Sequence, residues 1–123
     1  MAFESKVRDI KKAQKEKLIF RELSQIFWQL FLDDTRLSNL QLTRVSLSAD
    51  KSTCFIFFYI PGGLTAFEEK LDILKLYKGS LRKAMADQID ARYTPELVFK
   101  FDELHEKQQH IENLFESIKK TEG

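Results

Sequence analysis

The chain is 123 residues long, carries a net charge of +1, and is 43% hydrophobic and 32% charged. That size suits one domain able to bury a core without staples, and the composition is ordinary for a globular protein. The longest apolar run, Cys54 to Ile60, is only seven residues, too short to span a membrane, and the single cysteine, Cys54, rules out an internal disulfide.

The opening stretch, MAFESKVRDIKKAQKEK, has no apolar core and includes Glu4, Asp9 and Glu16. It resembles neither a secretory signal nor an acid-poor transit peptide, so a cytoplasmic protein is expected. The small net charge conceals an uneven layout. Residues 1–22 and 70–93 each carry +3, whereas 23–69 carry −2 and 94–123 carry −3. If the fold brings the two positive segments together, they form one electropositive face.

Residues 5–33 read as one long helix, with Leu23, Ile26, Phe27, Leu30 and Phe31 spaced for a wide apolar face. Its Lys-rich start, residues 1–18, is weakly periodic and is expected to fray or project. Asp33-Asp34-Thr35 is a run of cap-type residues and predicts a turn. Leu40–Ser48 predicts the first strand, with Thr43, Val45 and Leu47 on one face and Arg44 and Ser46 on the other. A turn at Ala49–Ser52 returns the chain into a second strand, Thr53–Ile60, where Cys54, Ile56 and Phe58 alternate with Phe55, Phe57 and Tyr59. If the first set packs under helices, three aromatic rings line the opposite face. Such a face can stack unpaired bases. Alternatively its rings are covered by neighbours, which the rarity of large exposed apolar patches favours.

After Pro61-Gly62-Gly63, apolar residues recur at helical spacing through Phe67, Leu71, Leu74, Leu81 and Met85, with an expected break at Lys78-Gly79. Gly79 between two good helical stretches suggests a kink or the close approach of another backbone. Lys75, Lys78 and Arg82 follow i, i+3, i+7 spacing, and with Lys83 they form a cationic ridge beside the apolar stripe. Pro95 biases Thr94 toward extended geometry and introduces a third strand, Glu96–Asp102, with Leu97, Phe99 and Phe101 on one side. Leu104–Lys120 predicts a last amphipathic helix through Leu104, Ile111, Leu114, Phe115 and Ile118, its acidic residues outward, and residues 121–123 are a tail. Helix, kink, helix, strand is the layout of a KH-type nucleic-acid-binding core, although this chain has no GxxG turn.

No constellation suggests catalysis. His105 and His110 are i and i+5 and share no helical face, so they do not make a metal pair. Ser46, Ser48 and Ser52 have no nucleophile elbow, and Asp33-Asp34 and Glu68-Glu69 are adjacent pairs that cannot face each other as an acid/base dyad. The expectation is therefore no enzyme, no metal, no cofactor and no small-molecule substrate.

Several stretches match one family together. Asp34-Thr35-Arg36-Leu37, Leu42-Thr43-Arg44-Val45-Ser46-Leu47-Ser48-Ala49-Asp50, Gly79-Ser80-Leu81-Arg82 and Arg92-Tyr93-Thr94-Pro95-Glu96-Leu97-Val98-Phe99-Lys100-Phe101-Asp102 resemble, in order and spacing, the bacterial ribosome-binding factor A family across residues 19–118. The resemblance implies an α+β, KH-like (type II) domain over residues 1–123, ordered α-β-β-α-kink-α-β-α, its three-stranded sheet covered by helices on one face. It also implies a non-catalytic, monomeric assembly factor that binds free small ribosomal subunits and their rRNA, assists late maturation of the 5′ end of that rRNA, and matters for growth in the cold.

The RNA-facing residues that the resemblance implies are Gly79 and Arg82 at the kink, together with Arg44 and Arg92, and Ser80 between the first two is a further candidate. Charge and helical phase add Lys75, Lys78 and Lys83, and Lys11, Lys12 and Lys15 on the first helix are candidates for further phosphate contacts. The chain departs from the family pattern in having Tyr77 and Ser80 around the kink, Thr35 where proline is common, and Phe55 where the family is often polar. Two other functions fit the residues: a protein-interaction module using Phe55, Phe57 and Tyr59, and an RNA-binding domain with a non-ribosomal target.

Overall fold

The computed structural model describes residues 2–90, 92 and 95–122, with side chains described between residues 6 and 120 of these ranges. The chain runs α1 (Ala2–Asp33), a short 3-10 turn (Thr35–Leu37), β1 (Gln41–Leu47), β2 (Thr53–Tyr59), α2 (Gly63–Leu76), α3 (Lys78–Gln88), β3 (Glu96–Phe101) and α4 (Glu103–Glu122). This is an α+β fold in the predicted order. The sheet is ordered β1-β2-β3, with β1 antiparallel and β3 parallel to the central β2. The expected extended residue Thr94 and its neighbour Tyr93 lie outside the described residues.

Alternation along β2 sets the architecture. Cys54, Ile56 and Phe58 are fully buried, as is Leu97 of β3, and Phe99 and Phe101 beside it are buried too, so one sheet face holds the core. Ile19, Leu23 and Phe27 of α1, Phe67 and Leu74 of α2, and Leu81 and Met85 of α3 close over that face. Phe58 is its centre. Phe27 meets it edge-on at 5.3 Å, and Phe99 and Phe67 lie 5.9 and 6.3 Å from it, centroid to centroid, within the range where aromatic pairs add to plain burial. Burial pushes the Cys54 thiol up to about 12, which keeps it neutral and unreactive. α1 is anchored to the β1 edge where Glu16 Oε2 accepts the Leu47 N–H at 2.7 Å. Gly62 enters α2 at φ 106°, and a Cβ there would meet that of Ala66 at 3.0 Å, so both backbone conformation and space require glycine.

Two expectations need correction. Thr43 does not share a face with Val45 and Leu47, because the register shifts between Leu42 and Arg44. Thr43 is the extra residue of a β-bulge, so Leu42, Val45 and Leu47 turn toward the core. The second concerns α4. Its apolar stripe does not enter the core: Leu104, Ile111, Leu114, Phe115 and Ile118 are 51–61% exposed. A helical apolar period shows that a stripe exists, and here α4 leaves the sheet as an arm instead of lying on it.

The bulge and the arm are joined by one carboxylate. Asp102, 2% exposed, is the buried charged residue among those described. It accepts the Thr43 hydroxyl at 2.6 Å, Arg44 Nε at 3.1 Å and the His105 N–H at 3.1 Å, so it caps α4 and pins it to β1. Burial pushes the Asp102 pKa up, but those three hydrogen bonds and the Arg44 charge together outweigh burial and hold it below the usual carboxylate value. A depressed folded-state pKa contributes stability that is complete above about pH 3.9 and is lost as the pH falls further. Replacing Asp102 by Asn should therefore cost about 1.5–3 kcal/mol at neutral pH and flatten the loss of stability below pH ~4. Denaturant melts across a pH series check both effects.

Candidate nucleic-acid interface

The turn between α2 and α3 is made by Tyr77 and not by Gly79. Tyr77 sits at φ −92°, ψ −2°, its N–H reaching Leu74 O at 3.0 Å while its own carbonyl accepts the Leu81 N–H at 2.9 Å. The helices are thus nearly continuous, with a one-residue break. The tyrosine side chain fixes that break. Its hydroxyl donates to Asp34 Oδ2, the same carboxylate that receives Arg36 Nε at 2.9 Å, an Arg36 terminal nitrogen at 2.7 Å and the Arg36 N–H at 3.0 Å. Arg36 and Tyr77 hold the Asp34 carboxyl well below the usual range, and the bond to Asp34 pushes the Tyr77 hydroxyl up. The turn is therefore tied to the end of α1. Sequence reading missed this brace, although Tyr77 stood out as a departure and Asp34 as a cap residue.

Gly79 lies in the first turn of α3 in ordinary helical conformation, and among the described residues nothing lies within 4 Å of where its Cβ would be. The fold itself does not require glycine there. Lys75, Ser80 and Lys83 are exposed around it. Lys78 is half-buried, with Nζ 3.3 Å from Glu96 Oε1 and 5.9 Å from the Phe99 ring, so it is already partnered within the chain. Arg82 is half-buried with its Nε covered. Beside the turn, Ile26, Leu30, Tyr77, Ser80 and Leu81 line a shallow groove of about 340 Å³.

The remaining basic candidates lie elsewhere. Lys12 lines a groove with Arg8 and the hairpin residues Ala49, Asp50 and Lys51. It is 18 residues before Leu30 of the turn groove, a helical rise of about 27 Å. Lys11 is exposed and Lys15 half-buried on the same stretch. The two positive segments therefore do not merge into one compact patch. Arg92 is exposed after α3, its N–H donating to Asp90 Oδ1 at 2.9 Å. Arg44 is on the opposite sheet face, lying 3.8 Å over the Phe57 ring. Among the described residues no group of His, Cys, Asp and Glu could hold a metal ion, and no helix is long and apolar enough to cross a membrane.

A family model described as ribosome-binding factor A matches residues 11–115. The chain belongs to the ribosome-binding factor A family. A ribosome-binding factor A from Syntrophomonas wolfei is 39% identical over 103 residues, covering 82% of this chain and 84% of the relative. One from Finegoldia magna is 35% identical over 89 residues, covering 71% and 74%. The crystal structure of ribosome-binding factor A from Thermus thermophilus superposes with a TM-score of 0.61 at 28% identity, over 72% of this chain and 92% of that one. The family is one of ribosome-binding factors and not a known enzyme class.

Within this family frame the braced turn makes a definite prediction. Tyr77→Phe keeps the ring packing but removes the bond to Asp34, so amide hydrogen exchange at Lys78–Leu81 should accelerate while exchange in β2 stays unchanged. Unaltered exchange at the turn would show that the hydroxyl does not hold it.

Proposed function

We propose that this chain is a ribosome assembly factor that binds free small ribosomal subunits in the cytoplasm and assists late maturation of the 5′ end of their rRNA. It acts as a monomeric, single KH-like domain without catalysing a reaction. The observation that carries this reading is Gly79. A glycine in a helical position costs about 1 kcal/mol relative to alanine, and no neighbour among the described residues explains it. The open space above it, flanked by exposed Lys75 and Lys83 and by the Ser80 hydroxyl, fits the approach of a ribose-phosphate backbone. Binding energy from such contacts favours one rRNA conformation, and later maturation that removes the conformation releases the factor. With a net charge of only +1, affinity rests on a few local phosphate contacts and not on a strong overall field.

The exposed lysines give cleaner probes than their half-buried neighbours, because Lys78 and Arg82 also serve the fold. In co-sedimentation with small subunits, large subunits and intact ribosomes over a salt series, the chain should pellet with small subunits and release as salt rises. Lys75→Glu with Lys83→Glu should keep the melting temperature and lower the log–log salt slope by about 1.4–1.8 for two lost phosphate contacts. Gly79→Ala should raise stability by up to about 1 kcal/mol while weakening small-subunit binding. Equal binding to every particle, or full binding by Gly79→Ala, would overturn the assignment.

A further inference from the structure

The sheet face turned away from α1, α2 and α3 carries Phe55, Phe57 and Tyr59 in a row on the central strand, all half-buried. Alternate residues on a strand lie about 7 Å apart, a spacing that successive unstacked bases can follow. Cations roof two of these rings. The Arg44 guanidinium lies 3.8 Å from the Phe57 centroid and the Lys100 ammonium 4.8 Å from that of Phe55. Glu16 and Lys17 of α1 join Phe20, Thr43, Arg44 and Val45 around a groove of about 400 Å³ between α1 and the β1 edge. A helix is the usual cover for an aromatic sheet face. Here α4 meets the face through His105, 4.8 Å from the Tyr59 ring, and keeps its own apolar stripe in solvent.

We propose that this face is a second contact for single-stranded RNA, with bases stacking on Phe55 and Phe57 in place of the cationic head groups. Arg44 and Lys100 then turn toward the flanking phosphates. Leaving the Phe57 ring takes the Arg44 guanidinium, Nε included, off Asp102, from which Nε is 3.1 Å with the side chain 47% exposed; a phosphate oxygen then replaces that carboxylate as acceptor, while the Thr43 hydroxyl and the His105 N–H stay on Asp102. A guanidinium 3.8 Å over a ring already occupies the place a base would take, and every base offers a π face. Charge complementarity selects RNA as the occupant. An apolar protein partner would have to desolvate Arg44 and Lys100 beside the rings it buries, whereas a nucleic acid brings the opposite charge to them. The inference rests on the chain being an RNA-binding ribosome factor and adds to it a second site, 180° across the sheet from its helical layer in the sense that alternate β2 residues face opposite ways.

The test is fluorescence anisotropy of a labelled short single-stranded oligouridine with the full chain over a salt series. Phe55→Leu with Phe57→Leu keeps apolar bulk and loses stacking; binding should weaken by about tenfold or more with an unchanged salt slope. Lys100→Gln, at an exposed position, should instead lower the slope by about 0.7. Unchanged affinity in the double leucine variant overturns the proposal, as does binding indifferent to salt, the mark of apolar docking. Small-subunit co-sedimentation of the same proteins separates the two readings. If the parent chain pellets with small subunits while oligouridine ignores the leucine substitutions, only the stacking face falls. If oligouridine needs the rings but the chain does not pellet with small subunits, the ribosomal reading falls and the stacking face stands.

Discussion

β2 is central in the sheet and has different surroundings on its two faces, and the rest of the structure follows from that constraint. One set of alternate residues, Cys54, Ile56 and Phe58, is fully buried beneath the helical layer. The other set, Phe55, Phe57 and Tyr59, lies on the far side beneath Arg44, Lys100 and His105. Because strand residues alternate with a period of two, a one-residue slip would exchange these surfaces. Pairing on both sides fixes the register, antiparallel to β1 and parallel to β3. The parallel neighbour requires a crossover, which α2 and α3 provide. The turn offered as the RNA contact is thus part of the connection that the sheet topology demands.

Two carboxylates do much of the positioning outside the apolar core. Asp34 gathers Arg36 and Tyr77, tying the α2–α3 turn to the end of α1. Asp102 gathers Thr43, Arg44 and the start of α4, tying the bulged edge strand to the arm. Both groups have depressed pKa values, so both ties weaken on the acid side of the ordinary carboxylate range. Local rigidity matters at the turn. A helix terminus that already has its bound shape gives up less conformational freedom when RNA docks, leaving more of the phosphate contact energy as affinity.

Much of this was legible in the residues. Strand alternation in TCFIFFYI and in ELVFKF divided the residues into the two faces that the structure shows, and the apolar spacing of α1, α2 and α3 identified the helices that cover one of them. Failures came where a local pattern has two tertiary outcomes. The α4 stripe has the same period whether it is buried or exposed, and only the Asp102 cap and the path after β3 send it into solvent. The bulge at Thr43 depends on a partner 59 residues away, which no local alternation reveals. Gly79 drew attention as a helix breaker, while the break falls at Tyr77, a residue without strong breaking propensity that is held there by Asp34. The basic residues were recognisable as candidates, but their division among the turn, the hairpin end of α1 and the open sheet face required the fold.

The central claim is that the first turn of α3 meets rRNA on the small subunit. Hydrogen exchange of the chain alone and bound to free small subunits tests it most directly, because each amide reports its own protection. The account predicts new protection at Lys78–Arg82 in the bound form. Protection elsewhere with no change across Lys78–Arg82 would contradict it.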